Sequence, residues 1–112
     1  MAECLFCRIV AREIPAQLVF EDAQAVAFKD INPKAPTHVL IVPRKHIDSL
    51  SASSDEDAAL LGHLQHVAVE VAVQFGLKSF RVVMNNGRGA GQTVDHLHYH
   101  VLGGRALEWP PG

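Results

Sequence analysis

The chain has 112 residues, 48% of them apolar, and a formal charge of −2. That length allows one domain with a real core and is too short for two, and the near-neutral balance excludes a protein that grips nucleic acid along its backbone. Charge enters within MAECLFCRIV and no apolar run nears the roughly 20 residues of a bilayer span, so neither an export signal nor a membrane anchor is expected.

No repeat, low-complexity tract or long linker interrupts the sequence, which reads as one domain over 1–112. CLFCRIVAREIP predicts a short helix closed by Pro15. Two short strands are expected at Leu18–Glu21 and Ala25–Lys29, then a loop at DINPKAPT. HVLIVP, a brief apolar run bounded by proline, predicts a buried strand. Ser53 and Glu56 have the spacing of a capping box, with Asp55 and Asp57 adding negative charge to the first helical turn. Leu60, Leu64, Val67, Val71 and Phe75 then recur at helical spacing until Gly76 supplies a stop. His63 and His66 share a polar face with Glu70 and Gln74 and read as solvated surface histidines. FRVVMN reads as a strand, NGRGAGQT as a glycine-rich loop and HLHYHVLGG as a last strand antiparallel to FRVVMN. Pro110 and Pro111 keep the tail irregular. This order of elements describes an α+β domain with an antiparallel sheet.

HLHYHV carries the chemistry. Residues two apart on a strand share a face, so His96, His98 and His100 line one side and Leu97, Tyr99 and Val101 the other. A half-buried strand with a histidine-rich polar face is the plain account, although other polar residues would serve a solvent face equally well. One metal ion held by all three is a poor fit. At roughly 3.3 Å per residue, positions 96 and 100 lie about 13 Å apart, whereas Zn–N bonds are near about 2.1 Å. Division of labour remains: one imidazole as nucleophile, its neighbours orienting it or moving protons.

The loop just before it suggests the electrophile. Gly87, Gly89 and Gly91 permit positive φ angles and close backbone approach, and successive amides can cradle an anion, with Gln92 and Thr93 as further donors. The segment lacks the Gly-Lys-Ser/Thr ending of a Walker loop, and alone it reads more readily as a flexible hairpin turn. Beside a histidine face it becomes a candidate phosphate cradle, pointing to transfer of a phosphorus group through phospho-histidine. The pair Cys4-x-x-Cys7 is weak evidence by itself and does not resemble a thioredoxin active site. With two cysteines and no export signal, a reducing cytoplasm with free or metal-bound thiols is expected.

HLHYHVL matches the alternating signature of the histidine triad (HIT) superfamily. FCRIVAREIPA, AFKDINPKAPTHVLIVPRKHI, GQTVDHLHYHVLGGR and the closing WPPG resemble its Hint branch, whose members hydrolyse purine nucleoside phosphoramidates. The resemblance spans nearly the whole chain and implies a HIT-like fold, an antiparallel sheet of about five strands with one long helix and one short N-terminal helix. It implies that His98 attacks the α-phosphorus and becomes transiently AMP-modified, that His100 contacts the phosphate, and that His38 supports the site. The carbonyl of His96 would fix the nucleophile's tautomer, and Asn85, Gly91, Gln92 and Thr93 would surround the phosphate or leaving group. Asp30 would accept from both ribose hydroxyls, and Ile31 with Phe6, Ile9, Phe28 and Leu40 would form the purine slot. No metal is required for that reaction. The resemblance also implies a homodimer, in which the tail Trp109-Pro110-Pro111 reaches toward the partner's site. Many bacterial relatives bind a structural zinc, and all four matching positions are occupied here by Cys4, Cys7, His46 and His96. A nucleotide-binding regulator with little turnover, and the dinucleoside polyphosphate hydrolysis of the sister Fhit branch, are the rival readings. Three features depart from the pattern: Asp95 replaces a common aromatic residue, Glu108 precedes the terminal tryptophan, and Arg88-Gly89-Ala90 is this chain's own version of the loop.

Overall fold

The computed structural model describes residues 4–112; residues 1–3, which the single-domain reading includes, lie outside the described residues. The elements in chain order are α1 (Leu5–Val10), β1 (Leu18–Glu21), β2 (Ala25–Lys29), β3 (Thr37–Pro43), α2 (Ala58–Gln74), β4 (Phe80–Met84) and β5 (Tyr99–Gly103). The five strands form one antiparallel sheet in the order β1-β2-β3-β5-β4. The α+β expectation holds, with both early strands at the predicted bounds.

The central strands are buried on both faces, and for that reason they read as apolar runs without alternation. On one face Ala25, Ala27, Val39, Ile41, Leu97, Tyr99 and Val101 pack against Leu64, Val67, Ala68 and Val71 of α2. On the other, Val26, Phe28, Leu40 and Val42 meet Phe6 and Ile9 of α1. The second face carries the site.

Three boundaries differ from expectation. Helix α1 stops at Val10 rather than running toward Pro15, because Arg12 turns left-handed (φ 61°) and the amide of Glu13 closes back onto the carbonyl of Arg8 at 2.8 Å. The reciprocal pair at the start of α2 is Ser54 with Asp57, not Ser53 with Glu56: the amide of Ser54 donates to Asp57 Oδ2 at 2.9 Å. Asp57 is selected by Lys45, whose Nζ lies 2.6 Å from its other oxygen. Strand β5 begins at Tyr99, since the Leu97 amide bonds the carbonyl of Ile47 at 2.6 Å instead of extending the ladder. The expected stop at Gly76 is present, with φ 67° and the Leu77 amide returning to Ala72 at 2.8 Å. Among the described residues no helix is long and apolar enough to cross a membrane.

Candidate active site

The pairing of β3 with β5 assembles the histidines. Leu40 stands opposite His100 and His38 opposite Leu102, so His38 and His100 share the α1 face. The rings of His98 and His100 are 5.0 Å apart, and Phe6 meets His98 edge-on at 5.0 Å and 88°. The alternation expected around HLHYHV holds for the side chains although regular pairing starts only at Tyr99: Leu97, Tyr99 and Val101 enter the α2 core, and the histidines take the opposite face. That face is not solvated, as His96 is 0% exposed and His98 is buried.

Hydrogen-bond partners with only one possible role fix each tautomer. A carbonyl can only accept, so His98 Nδ1 donates to the main-chain oxygen of His96 at 2.7 Å. That leaves His98 Nε2 as a bare lone pair. His96 Nε2 donates to the carbonyl of Pro43 at 2.9 Å, leaving His96 Nδ1 bare. The amide of Lys34 donates to His38 Nδ1 at 3.0 Å, so His38 Nε2 carries the hydrogen and gives it to His100 Nδ1 at 2.9 Å, with Asp30 Oδ2 at 3.4 Å. His100 therefore holds its hydrogen on Nε2, a buried atom without a partner among the described residues. A bare ring nitrogen and an N–H without a partner among the described residues thus sit on adjacent rings.

Burial disfavours the charged form of these imidazoles. It lowers the pKa of His98, and it lowers that of His38 against the opposing pull of Asp30. His100 is pushed down to about 4 by burial and by the charges of His98 and His38, and His96 to about 4 mainly by burial.

A second cluster sits beside the first. Ligand atoms of Cys4, Cys7, His46 and His96 all lie within 4.8 Å of one another. His46 Nε2 donates to Asp48 Oδ1 at 2.6 Å, turning Nδ1 toward His96 Nδ1 at 3.1 Å and Cys7 Sγ at 3.1 Å. His96 Nδ1 is 3.4 Å from Cys4 Sγ and 3.5 Å from Cys7 Sγ. Around a tetrahedral zinc, nitrogens at about 2.05 Å would be about 3.3 Å apart and a nitrogen–sulfur pair about 3.6 Å. The donors fit such an ion with only small adjustment. Burial and the neighbouring Cys4 push the Cys7 thiol up to about 11, a cost that a bound dication would reverse. Asp30, His38 and His100 are equally close together, but a hydrogen already occupies the gap between the two rings, so they fit a proton path better than a metal.

The model of the HIT domain matches residues 11–107. The chain belongs to the HIT domain family. An uncharacterized HIT-like protein of Synechocystis is 56% identical over 114 residues, covering 100% of both chains. Among solved structures, a HIT family hydrolase from Legionella pneumophila superposes with a TM-score of 0.96 at 48% identity, covering 98% of this chain and 100% of that one. A histidine triad protein from Clostridium difficile gives 0.93 at 43% identity over 96% of each chain.

Within this HIT domain the other predicted residues occupy distinct positions. Phe6, Ile9, Phe28 and Leu40 form a packed wall beside the histidines, whereas Ile31 is 100% exposed. Asp30 and Ile31 border an open cavity of about 560 Å³ with Pro15, Ala16, Gln17 and Lys29. Gly91 has φ 102°, a left-handed backbone that favours glycine, while a Cβ there would make only ordinary contact with the Asn85 amide at 3.7 Å. Thr93 is exposed. Gln92 is 3% exposed and its side chain is fully engaged: it accepts from the Gly87 amide at 2.8 Å and donates to the carbonyls of Asp48 at 2.7 Å and Val94 at 3.0 Å. Its side chain braces the loop.

Several partners were not anticipated. The carbonyl of Pro43 and the amide of Lys34 set two tautomers, and main-chain groups leave no residue-type signal. Asp48 was legible, two residues after His46, as a carboxylate placed to orient an imidazole. Arg88 and Asp95, two of the chain's own departures from the family pattern, pair with each other at 2.9 Å. His63 pairs with Asp22 at 2.7 Å rather than standing free in solvent.

Proposed function

We propose that this HIT protein is a hydrolase that cleaves the P–N bond of purine nucleoside phosphoramidates through a nucleotidyl group on His98. The observation that carries the reading is the bare Nε2 lone pair of His98 beside the partnerless Nε2–H of His100. The hydrolase designation of the Legionella structure supports the reaction class.

His98 Nε2 attacks the α-phosphorus, forming a P–N bond as the bond to the amine breaks. His98 keeps its Nδ1 hydrogen, and the His96 carbonyl stabilises the positive charge that develops on the ring. An anionic phosphate beside buried neutral imidazoles favours uptake of one proton by the His38–His100 pair, with Asp30 behind it. His100 hands that proton to the departing nitrogen. Water then attacks the phosphorus, its proton returns to His100, and AMP leaves with His98 restored. The covalent step divides one hard displacement into two easier ones.

Asp30 accepts from the ribose hydroxyls, and the purine lies between Ile31 and the wall that includes Phe6 and Ile9; the cavity beside Asp30 and Ile31 supports this placement. Asn85, Thr93 and the main chain around Gly91 face the phosphate or the leaving group. Cys4, Cys7, His46 and His96 hold a zinc ion. As a closed four-ligand set they would leave such an ion no open position, and it would supply cross-linking rather than chemistry.

The protein works as a homodimer. Val82 and Phe80 lie on β4, which among the described residues pairs with β5 alone, and Val69 and Val73 form an exposed apolar strip along α2. Trp109, 80% exposed and with Arg81 6.0 Å from its ring, leaves the tail open to a partner, whose site it reaches in this reading. Sedimentation of Val82→Glu as a monomer, with the parent dimeric, is the expected result.

The reaction is tested by hydrolysis of an adenosine 5′-phosphoramidate carrying a fluorescent amine, comparing the parent chain with His98→Ala. Cleavage lost in the variant with AMP binding retained supports the reading. A parent chain that binds AMP and cleaves no better than the variant makes the protein a nucleotide-binding regulator.

A further inference from the structure

Two routes connect the Cys4/Cys7/His46/His96 cluster to the nucleophile, and both run through residues with no freedom to move alone. The first is His96 itself. Its ring enters the cluster through Nδ1, is fixed from behind by Pro43, and is fully buried, while its carbonyl holds His98 Nδ1 at 2.7 Å. The second is α1. This helix has six residues, too few to persist without tertiary contacts. Cys4 caps it, Cys7 lies one turn on, and between them Phe6 sets its edge on His98 at 5.0 Å, on His96 at 6.0 Å and on Phe28 at 5.4 Å.

We propose that metal occupancy at Cys4, Cys7, His46 and His96 sets the position of the nucleophile and of the purine wall, with His96 and Phe6 as the positioning residues that transmit it. Without a cation, His96 Nδ1 and His46 Nδ1 turn lone pairs toward each other at 3.1 Å, and only the weak thiol donors of Cys4, 3.4 Å from His96, and Cys7, 3.1 Å from His46, are placed to bond them. Relief requires either rotation of the His96 ring away from Pro43 or movement of α1 off the sheet. The first shifts the carbonyl that fixes His98. The second withdraws Phe6 from His98 and opens the wall on which the purine rests. The nucleotide half of this inference rests on the proposed function; the tautomer half does not.

The test uses the full chain loaded with zinc, the same protein stripped with dipicolinate, and the stripped protein reloaded with Zn²⁺ alone. The AMP dissociation constant is measured by calorimetry, and the proton state of the His98 ring by nitrogen-15 NMR. Stripping is expected to weaken AMP binding by about tenfold or more, the scale of one lost aromatic contact together with a displaced wall, and to disperse the single His98 Nδ1–H signal. Reloading restores both. Should the stripped protein unfold, Asp48→Asn replaces it: Asp48 is exposed and orients only His46, so partial zinc occupancies become accessible in a folded chain, and AMP affinity should follow them. AMP affinity within twofold across zinc occupancy, with an unchanged His98 signal, overturns the inference, as does a chain that takes up no zinc. If the loaded protein binds no AMP the proposed function falls, and the His98 signal alone then decides this inference.

Discussion

His46 and His96 turn their Nδ1 atoms toward each other at 3.1 Å while each gives its Nε2 hydrogen elsewhere, to the carboxylate of Asp48 and to the carbonyl of Pro43. Two lone pairs face one another, and a cation reconciles them far better than the weak thiol donors of Cys4 and Cys7 beside them. A closed site of two thiolates and two imidazoles predicts about one zinc per chain after expression with adequate metal. Asp48→Asn removes the carboxylate that orients His46 and is expected to weaken zinc binding by roughly 10–100-fold, read by competition with a chromogenic chelator. Unchanged affinity would show that Asp48 does not orient the ligand.

Acid acts on this site in a defined direction. His100 is held down to about 4 in the folded chain from an ordinary 6.5, so between those values the unfolded chain binds a proton that the folded one does not. Stability from this group is therefore fully present above 6.5 and is lost as pH falls toward 4, by roughly 3 kcal/mol at about 1.4 kcal/mol per pKa unit. Urea titrations of the parent chain and His100→Gln should converge as pH falls through that window; parallel curves would contradict the assignment. Hydrolysis should behave alike, since burial lowers the pKa of His98 and keeps it unprotonated and nucleophilic below the ordinary histidine range. The acid limb of kcat/KM should fall below 6.5.

Gln92 offers a test of the loop. Its side chain makes three hydrogen bonds in a buried position, tying Gly87, Asp48 and Val94 together. Gln92→Ala is expected to cost roughly 2–4 kcal/mol by thermal unfolding, at about 1 kcal/mol for each bond plus the buried groups left unpaired. Turnover should fall with AMP affinity largely kept, because loop shape rather than a direct side-chain contact is lost. A turnover change without a stability change would instead give Gln92 a direct role at the phosphate.

Much of this site was legible because residue type and spacing carried it. The period of two in HLHYHV placed Leu97, Tyr99 and Val101 in the core and the histidines opposite, and the apolar run HVLIVP marked the buried strand that holds His38. What the residues did not disclose lies in the main chain and in competition between neighbours. The Ile47 carbonyl takes the Leu97 amide and delays β5; Lys45 selects Asp57 and moves the cap by one residue; Arg12 ends α1 early in a conformation its residue type does not favour. Gln92 resembles a ligand contact in sequence because a buried brace and a phosphate donor use the same side chain.

The central claim is a covalent bond at His98 Nε2, and the most direct measurement is rapid quenching in base with a phosphorus-32 adenosine phosphoramidate, followed by peptide mapping. The account predicts transient label on the peptide containing residues 96–100, absent from His98→Ala and decaying as AMP appears. Turnover without labelled protein, or label that survives His98→Ala, would contradict it.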